Sequence, residues 1–371
     1  MLSSQGWGSK SLSFGRTSRQ CLLALGALCV ASHAGANPVY KCERLKESEL
    51  AHGGYFPGAI NDADEVVGDA LGFLAFKWNK QREAQELQKD RFAMATYVNA
   101  INNGGVTVGA SNIEGPHPEG LAAYKWLPDG SFVKLSKYSG QHTFAADIND
   151  LGVIAGWVST DGLAEATLWT TDTRQKQLPA LEAGKSAYAN QLNNHGVVVG
   201  EAKKTVDGQE VDRAVRWHGG EVRDLGSLLG MNSSKAYSIS DHGLIVGVSA
   251  DSAVPNATAP VAWVNGGAIQ ALNLGSSTSG SAVSVNRHGV VIGYTSALGP
   301  TYWADVNASP LKVDDLIAAD KPCRGPDGQA AQLTGVQAIN SRGAIAASGH
   351  WAEDGGSTVT GVFRLVPMKV R

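Results

Sequence analysis

One frame recurs along this chain about every 45 residues, and it constrains the fold more tightly than any other property. It consists of an aliphatic residue, Asn, two polar or small residues, Gly, and an apolar run that ends in Gly. It stands at Ile60-Asn61, Ile101-Asn102, Ile148-Asn149, Leu192-Asn193, Ile239-Ser240, Val285-Asn286 and Ile339-Asn340. The steps between the aliphatic positions are 41, 47, 44, 47, 46 and 54 residues. Self-similarity at such a period marks a repeat architecture, in which each unit buries its apolar face against its neighbours.

The spacing within the frame has a physical cause. Asn at the start of a turn accepts hydrogen bonds from backbone N–H groups just ahead of it. Gly three residues later, as at Gly152, Gly196, Gly243 and Gly289, suits positive φ, so the pair predicts a three-residue hairpin loop with a G1 bulge. Asp64 takes that place in the first copy, and Asp tolerates positive φ better than most residues. A β-branched run such as Val197-Val198-Val199 then reads as a buried strand. The closing Gly (Gly68, Gly109, Gly156, Gly200, Gly247, Gly293) leaves room for another backbone to come close.

Ten to 17 residues beyond the closing Gly, a short apolar strand ends in Trp: Trp78, Trp126, Trp169, Trp217, Trp263 and Trp303. A fourth segment ends near Leu87, Leu135, Leu178, Leu225, Leu274 and Leu316. Four short strands per repeat are the content of one propeller blade. The last copy departs from the pattern: Ala347 replaces the closing Gly, and Phe363 stands near the expected Trp. The chain ends before a fourth strand for that copy, whereas Val39 to Leu45 ahead of the first copy reads as one. The expected fold is therefore an all-β, seven-bladed β-propeller closed by an N-terminal strand, with six blades plus an end segment as the alternative. Residues 205–212, and likewise 111–120, 249–258 and 318–332, read as inserted loops; residues 79–91 read as a polar strand and loop with room for a helical turn.

Residues 1–36 carry Lys10, Arg16 and Arg19, then the apolar run 21–31, then Ala34-Gly35-Ala36, which together read as a signal peptide. Residues 37–58 are then the closing strand and lead-in, and 59–371 the propeller repeats. Gln20 before Cys21 and Leu28 before Cys29 do not form a lipoprotein box. The expected location is a bacterial periplasm or the extracellular space. Cleavage takes the net charge from −3 to −6 and leaves no basic stripe, which gives no reason to expect a nucleic-acid partner. No remaining apolar stretch is long enough to span a membrane, and a monomer is expected. Cys42 and Cys323 remain after cleavage, and in an oxidising compartment they are expected to form a disulfide across the ring seam.

The frame Ile-Asn-Asp-x-Gly-x-Ile-x-Gly, followed by Ala-x-x-Trp and Leu, resembles the HAF-repeat family of extracellular bacterial proteins. Ile148-Asn149-Asp150-Leu151-Gly152-Val153-Ile154-Ala155-Gly156 carries the likeness, as does the stretch from Asp224-Leu225-Gly226 through Ala236-Tyr237 to Gly247. In place of His-Ala-Phe the chain has Leu74-Ala75-Phe76 and Ala122-Ala123-Tyr124. The resemblance implies secretion and a repeat β fold, and it brings no catalytic residues.

Candidate sites are few. His195, His242 and His288 share one turn position, but adjacent blades hold equivalent turns too far apart for one zinc ion, so they read as exposed turn residues. The acidic run Asp207 to Asp212, with Asp62, Asp64 and Glu65, is a second-rank calcium candidate without EF-hand spacing. Gly184-Lys185-Ser186 lacks the preceding Gly of a phosphate loop. The in-phase Trp residues read as packing residues before sugar platforms. No catalytic, cofactor-binding or metal residue is assigned. Two functions remain in view: a binding or scaffold protein presenting one face to a protein or glycan, and a polysaccharide hydrolase or lyase with carboxylates around the channel. Charged side chains from several blades around the channel would favour the enzyme, and a channel lined only by Gly, Ala and Val would remove it.

Overall fold

The computed structural model describes residues 37–48, 54–114, 120–135, 142–172, 174–353 and 355–369. Residues 1–36, read from the sequence as a signal peptide, lie outside them. Seven four-stranded antiparallel sheets are present, which excludes the six-blade alternative. Blades 1 to 6 take their strands in chain order and span 55–86, 93–134, 142–177, 187–224, 233–271 and 280–312. Blade 7 is built from Gln332–Ile339, Ile345–Ala352 and Thr358–Met368, with Val39–Arg44 as its outer strand. The first strands of the blades neighbour one another in a closed ring around the axis. Among the described residues the only helix is the 3-10 turn Val313–Leu316, so residues 79–91 contain no helical turn.

The core consists of interfaces between blades. Seven clusters of buried side chains each join one blade to the next; one contains Leu45, Ala346 and Val362 of blade 7 together with Tyr55 and Trp78 of blade 1. The six in-phase Trp residues are almost wholly buried in these interfaces. Five of them donate their indole N–H across the interface to a carbonyl beside the preceding blade's outer strand: Trp78 to Lys46, Trp126 to Gln88, Trp217 to Pro179, Trp263 to Leu225 and Trp303 to Asn273, at 2.6–2.8 Å. The position equivalent to these acceptors for Trp169 is residue 136, outside the described residues. Lys46 serves as acceptor just as Gln88 does, so the N-terminal strand is a full structural equivalent of the other outer strands.

Each first strand breaks register just before it ends, between Pro57 and Ala59 in blade 1 and at the same place in every other blade, and those of blades 2 and 7 carry a further irregularity nearer their start. The bulge turns a first-strand carbonyl toward the second strand. A Cβ on Gly156 would collide with the carbonyl oxygen of Phe144, and the same holds at Gly200 against Tyr188. This is why the frame ends in Gly. Blade 7 accommodates Ala347 there, where its first strand carries a second irregularity around Thr334.

Three local assignments change. Trp78, Trp169 and Trp217 pair with the first residue of the second strand, and in blade 7 that partner is Leu365. Phe363 instead takes the place of Phe76 and Tyr124, while Trp351 fills the interface with blade 6. In blade 5 the buried outer leucine is Leu272, which donates its N–H to Pro260 as Leu87 does to Ala75, and not Leu274. Residues 205–212 are not a loop: they continue the hairpin of Val198–Val206 and Gln209–His218 around a two-residue turn with positive φ at Asp207 and Gly208.

Candidate functional site

The six Asn turns and the Ser240 turn converge on one end of the central channel, and each Asn does two jobs. The Asn193 Oδ1 accepts N–H bonds from His195 and Val197, both at 3.0 Å, which closes the predicted three-residue loop. Its Nδ2 donates 3.2 Å across the blade boundary to the carbonyl of Ser240. The same inter-blade bond runs from Asn61 to Asn102, Asn102 to Asn149, Asn149 to Asn193, Asn286 to Asn340, and Asn340 back to Asn61, at 2.9–3.2 Å. Only the step from blade 5 to blade 6 is missing, because Ser240 has no amide to donate. Asn193→Ala should cost about 2–3 kcal/mol, since it strands buried partners on both sides of the boundary. Asn193→Ser should cost less, because Ser240 still caps its own turn through Leu244 N–H. Chemical denaturation of the two variants checks the order.

The next residue of each turn forms an outer rim: Asp62, Asn103, Asp150, Asn194, Asp241, Arg287 and Ser341. Carboxylate and amide alternate over five blades. The backbone N–H of Asp62, Asn103, Asp150 and Asn194 bonds to the side-chain oxygen of its successor at 2.8–3.0 Å, and Ser341 N–H closes onto Asp62. Asn103 and Asn194 also donate their side-chain amides to Asp150, at 3.0 and 3.1 Å. Asp150 thus accepts three hydrogen bonds from its two rim neighbours. This rim too is interrupted around Arg287: among the described residues neither Asp241 N–H nor Arg287 N–H finds a rim side chain.

Inside the rim lies a polar basin of about 350 Å³ that also reaches Asp147 and Gln191. These two precede the aliphatic residue of the frame, where blades 7, 1 and 2 have Ala338, Ala59 and Ala100. Asp147 Oδ2 accepts Leu192 N–H at 2.9 Å, and Gln191, Ser238 and Ser284 accept the equivalent N–H of Ile239, Val285 and Ile339. Asp147 is partly open to the channel but has protein packed closely around it. Burial pushes its carboxyl up to about 7, against the pull of the Leu192 and Ile148 N–H groups. Its pKa is therefore higher folded than unfolded, so wild-type stability falls as pH rises from about 4 toward 7 and the carboxyl ionises in place. Asp147→Asn keeps an acceptor for Leu192 and loses that penalty. The variant should gain about 2 kcal/mol over wild type at pH 8 and nothing at pH 4, as read from denaturation midpoints.

The sequence-level candidates are dispersed. His195, His242 and His288 are exposed turn residues on separate blades. Glu210 pairs with Lys185, Asp212 with Lys203 and Lys235, Glu65 with Lys77, and Asp64 with Arg342. Among the described residues no three His, Cys, Asp or Glu side chains are grouped to hold a metal ion. No helix among them is long and apolar enough to cross a membrane. Cys42 and Cys323 are joined in a disulfide whose Cα atoms lie 5.0 Å apart. Sequence reasoning missed the rim alternation, Asp147 and Gln191. The signal that would have found them is the polar residue one place before the frame in blades 3 to 6.

No protein-family model matches the chain, and neither does any curated protein. Its likenesses are structural. The structure of a streptogramin B lyase aligns over 89% of this chain and 98% of its own, with 10% identity and a TM-score of 0.53. The WD40 repeats of RRP9 align over 90% and 99%, with 11% identity and a TM-score of 0.55. YCF48 from Cyanidioschyzon merolae aligns over 88% and 98%, with 9% identity and a TM-score of 0.50. At such identities the likeness shows the β-propeller fold alone.

Proposed function

We propose that this chain is a secreted HAF-repeat propeller that binds a glycan in the channel mouth on the Asn-turn face. The observation that carries this is the interrupted rim: alternating carboxylates and amides line a polar basin, and the hydrogen-bond ring is open between Asp241 and Arg287. Sugar hydroxyls both donate and accept, so they suit a surface where both kinds of group alternate and where one arc has unspent capacity. The fold itself does not choose the function, since similar propellers include one named as a lyase and one formed of WD40 repeats.

The test is a screen of neutral and acidic oligosaccharides for binding and turnover by the purified chain. Binding should fall at least tenfold in Asp241→Ala, and a ligand whose affinity ignores that change does not use the mouth. The basin's geometry keeps the polysaccharide hydrolase or lyase in view: Asp147, whose carboxyl burial pushes up to about 7, lines it together with Asp62, Asp150, Asp241 and Arg287. Product formation abolished by Asp147→Asn would support it. Tight binding without any product would remove it for the glycans tested.

A further inference from the structure

We propose that the cavity between blades 6 and 7 is an anion site, and that it selects glycans carrying a carboxylate, as a uronate unit does. The glycan part of this rests on the channel-mouth reading above; the anion site stands on its own geometry. The cavity measures about 470 Å³ and shares Asn286, Arg287 and Ser341 with the channel mouth, so one extended ligand can occupy both.

Its chemistry differs from that of the mouth. Tyr40, from the N-terminal strand, and Tyr302, from blade 6, line it while being only 2% and 5% exposed. Neither hydroxyl has a hydrogen-bond partner among the described residues, and a Cβ on Gly343 at the cavity wall would lie 4.0 Å from the Tyr40 hydroxyl. Both hydroxyls open onto the cavity with no protein group to bond among the described residues, so they are available as donors to a ligand held there. Burial raises the pKa of both phenols, with the neighbouring Tyr302 adding a smaller rise at Tyr40, so both stay neutral donors throughout the physiological range.

The opening is cationic. Arg287 has no carboxylate partner among the described residues, and its Nε–H meets only His288 Nε2 at 3.3 Å. Arg342 is held from behind by Asp64 at 2.7 Å, which fixes a second guanidinium at the edge of the cavity. A guanidinium presents paired N–H groups that match the two oxygens of a carboxylate. Val290 and Pro367 supply apolar walls against which a sugar ring can lie. Among the described residues Arg287 is the one cation lining the mouth, whose other polar side chains are carboxylates, amides and hydroxyls, so its arc is where an acidic sugar meets least repulsion.

The experiment compares oligogalacturonate with its fully methyl-esterified form by calorimetry on the purified chain, in wild type, Arg287→Gln and the Tyr40→Phe/Tyr302→Phe double variant. The free acid should bind at least tenfold tighter than the ester. Arg287→Gln should abolish that advantage, and the double variant should reduce it several-fold. Equal affinity for acid and ester, or an advantage untouched by Arg287→Gln, overturns the anion site and leaves the channel-mouth reading in place. A sulfated oligosaccharide that binds tighter than the uronate overturns the carboxylate assignment. If neither form of the oligosaccharide binds, the glycan reading falls. Monomeric glucuronate then decides the anion site: a chemical-shift change at Arg287 Nε–H supports it, and an unmoved resonance overturns it.

Discussion

Replacing Cys42 and Cys323 together by alanine should lower stability by about 4–5 kcal/mol, the upper end of what a disulfide contributes. The bond spans 281 residues of sequence, nearly the whole ring. Cross-linking points so distant removes a large share of the unfolded chain's freedom, and loop-closure entropy grows with the logarithm of the separation. The native side adds to this. Val39–Arg44 is the only part of blade 7 that comes from the start of the chain, and Cys42 pairs there with Leu365. The 318–323 segment meets it through Ala318 N–H to Tyr40 O and Cys42 N–H to Lys321 O. If the strand detaches, Thr358–Met368 becomes an open sheet edge, and exposed edges recruit other chains. Guanidinium unfolding of wild type, reduced wild type and the double variant measures the effect. The last two should show the same lowered midpoint, together with concentration-dependent aggregation near it. An unchanged midpoint would show that strand pairing alone closes the ring.

What a repeat holds in common was readable from the sequence, because those positions answer to local physics. Asn193 and Gly196 are explained by one turn, and Val197 to Val199 by one strand. The bonds between blades were not readable. The sequence shows Asn193 as a turn former, but the bond from its Nδ2 to Ser240 crosses 47 residues, and nothing local requires it. Asp147 was hidden for a related reason: its neighbour Ile148 fits the apolar pattern, and a single polar residue before it looks like ordinary alternation. The misplacements of Phe363 for Leu365 and Leu274 for Leu272 are both slips of two residues. Such a slip keeps every side chain on the same face of the sheet, so hydrophobic alternation cannot detect it. Closure by the N-terminal strand was legible because the seventh copy visibly lacked a fourth strand. Tyr40 within that strand looked like one more packing residue, since its cavity forms only when blade 6 and blade 7 meet.

Arg364→Met should cost about 3–5 kcal/mol at neutral pH, the usual result of removing one partner from a buried ion pair. Arg364 is 3% exposed, and its guanidinium ties together three parts of the chain that are remote in sequence. It donates to Glu43 Oε2 of the N-terminal strand at 2.7 and 3.0 Å, to the Lys80 carbonyl at 2.8 Å, and to the Asp64 carbonyl in the first turn of blade 1. It therefore locks the closing strand to blade 7 and blade 7 to blade 1. Methionine fills similar space but leaves those acceptors unserved, with only Lys41 still facing Glu43. The loss should depend on pH. Burial alone would raise the Glu43 pKa, but the hydrogen bonds from Lys41 and Arg364, with their charges, outweigh it and hold the carboxyl below its ordinary value of 4.5. A carboxyl with a depressed folded pKa stabilises fully above its unfolded value, and the stabilisation disappears as pH falls through the folded one. The gap between wild type and Arg364→Met should therefore be widest near pH 7 and shrink below pH 4.5. What remains in acid is the share owed to the Lys80 and Asp64 carbonyls, which do not titrate. Glu43→Gln separates the two contributions: it should reproduce the part that varies with pH and leave the carbonyl bonds intact. A gap of equal size at pH 7 and pH 3 would mean that the carbonyls, and not the ion pair, hold the seam.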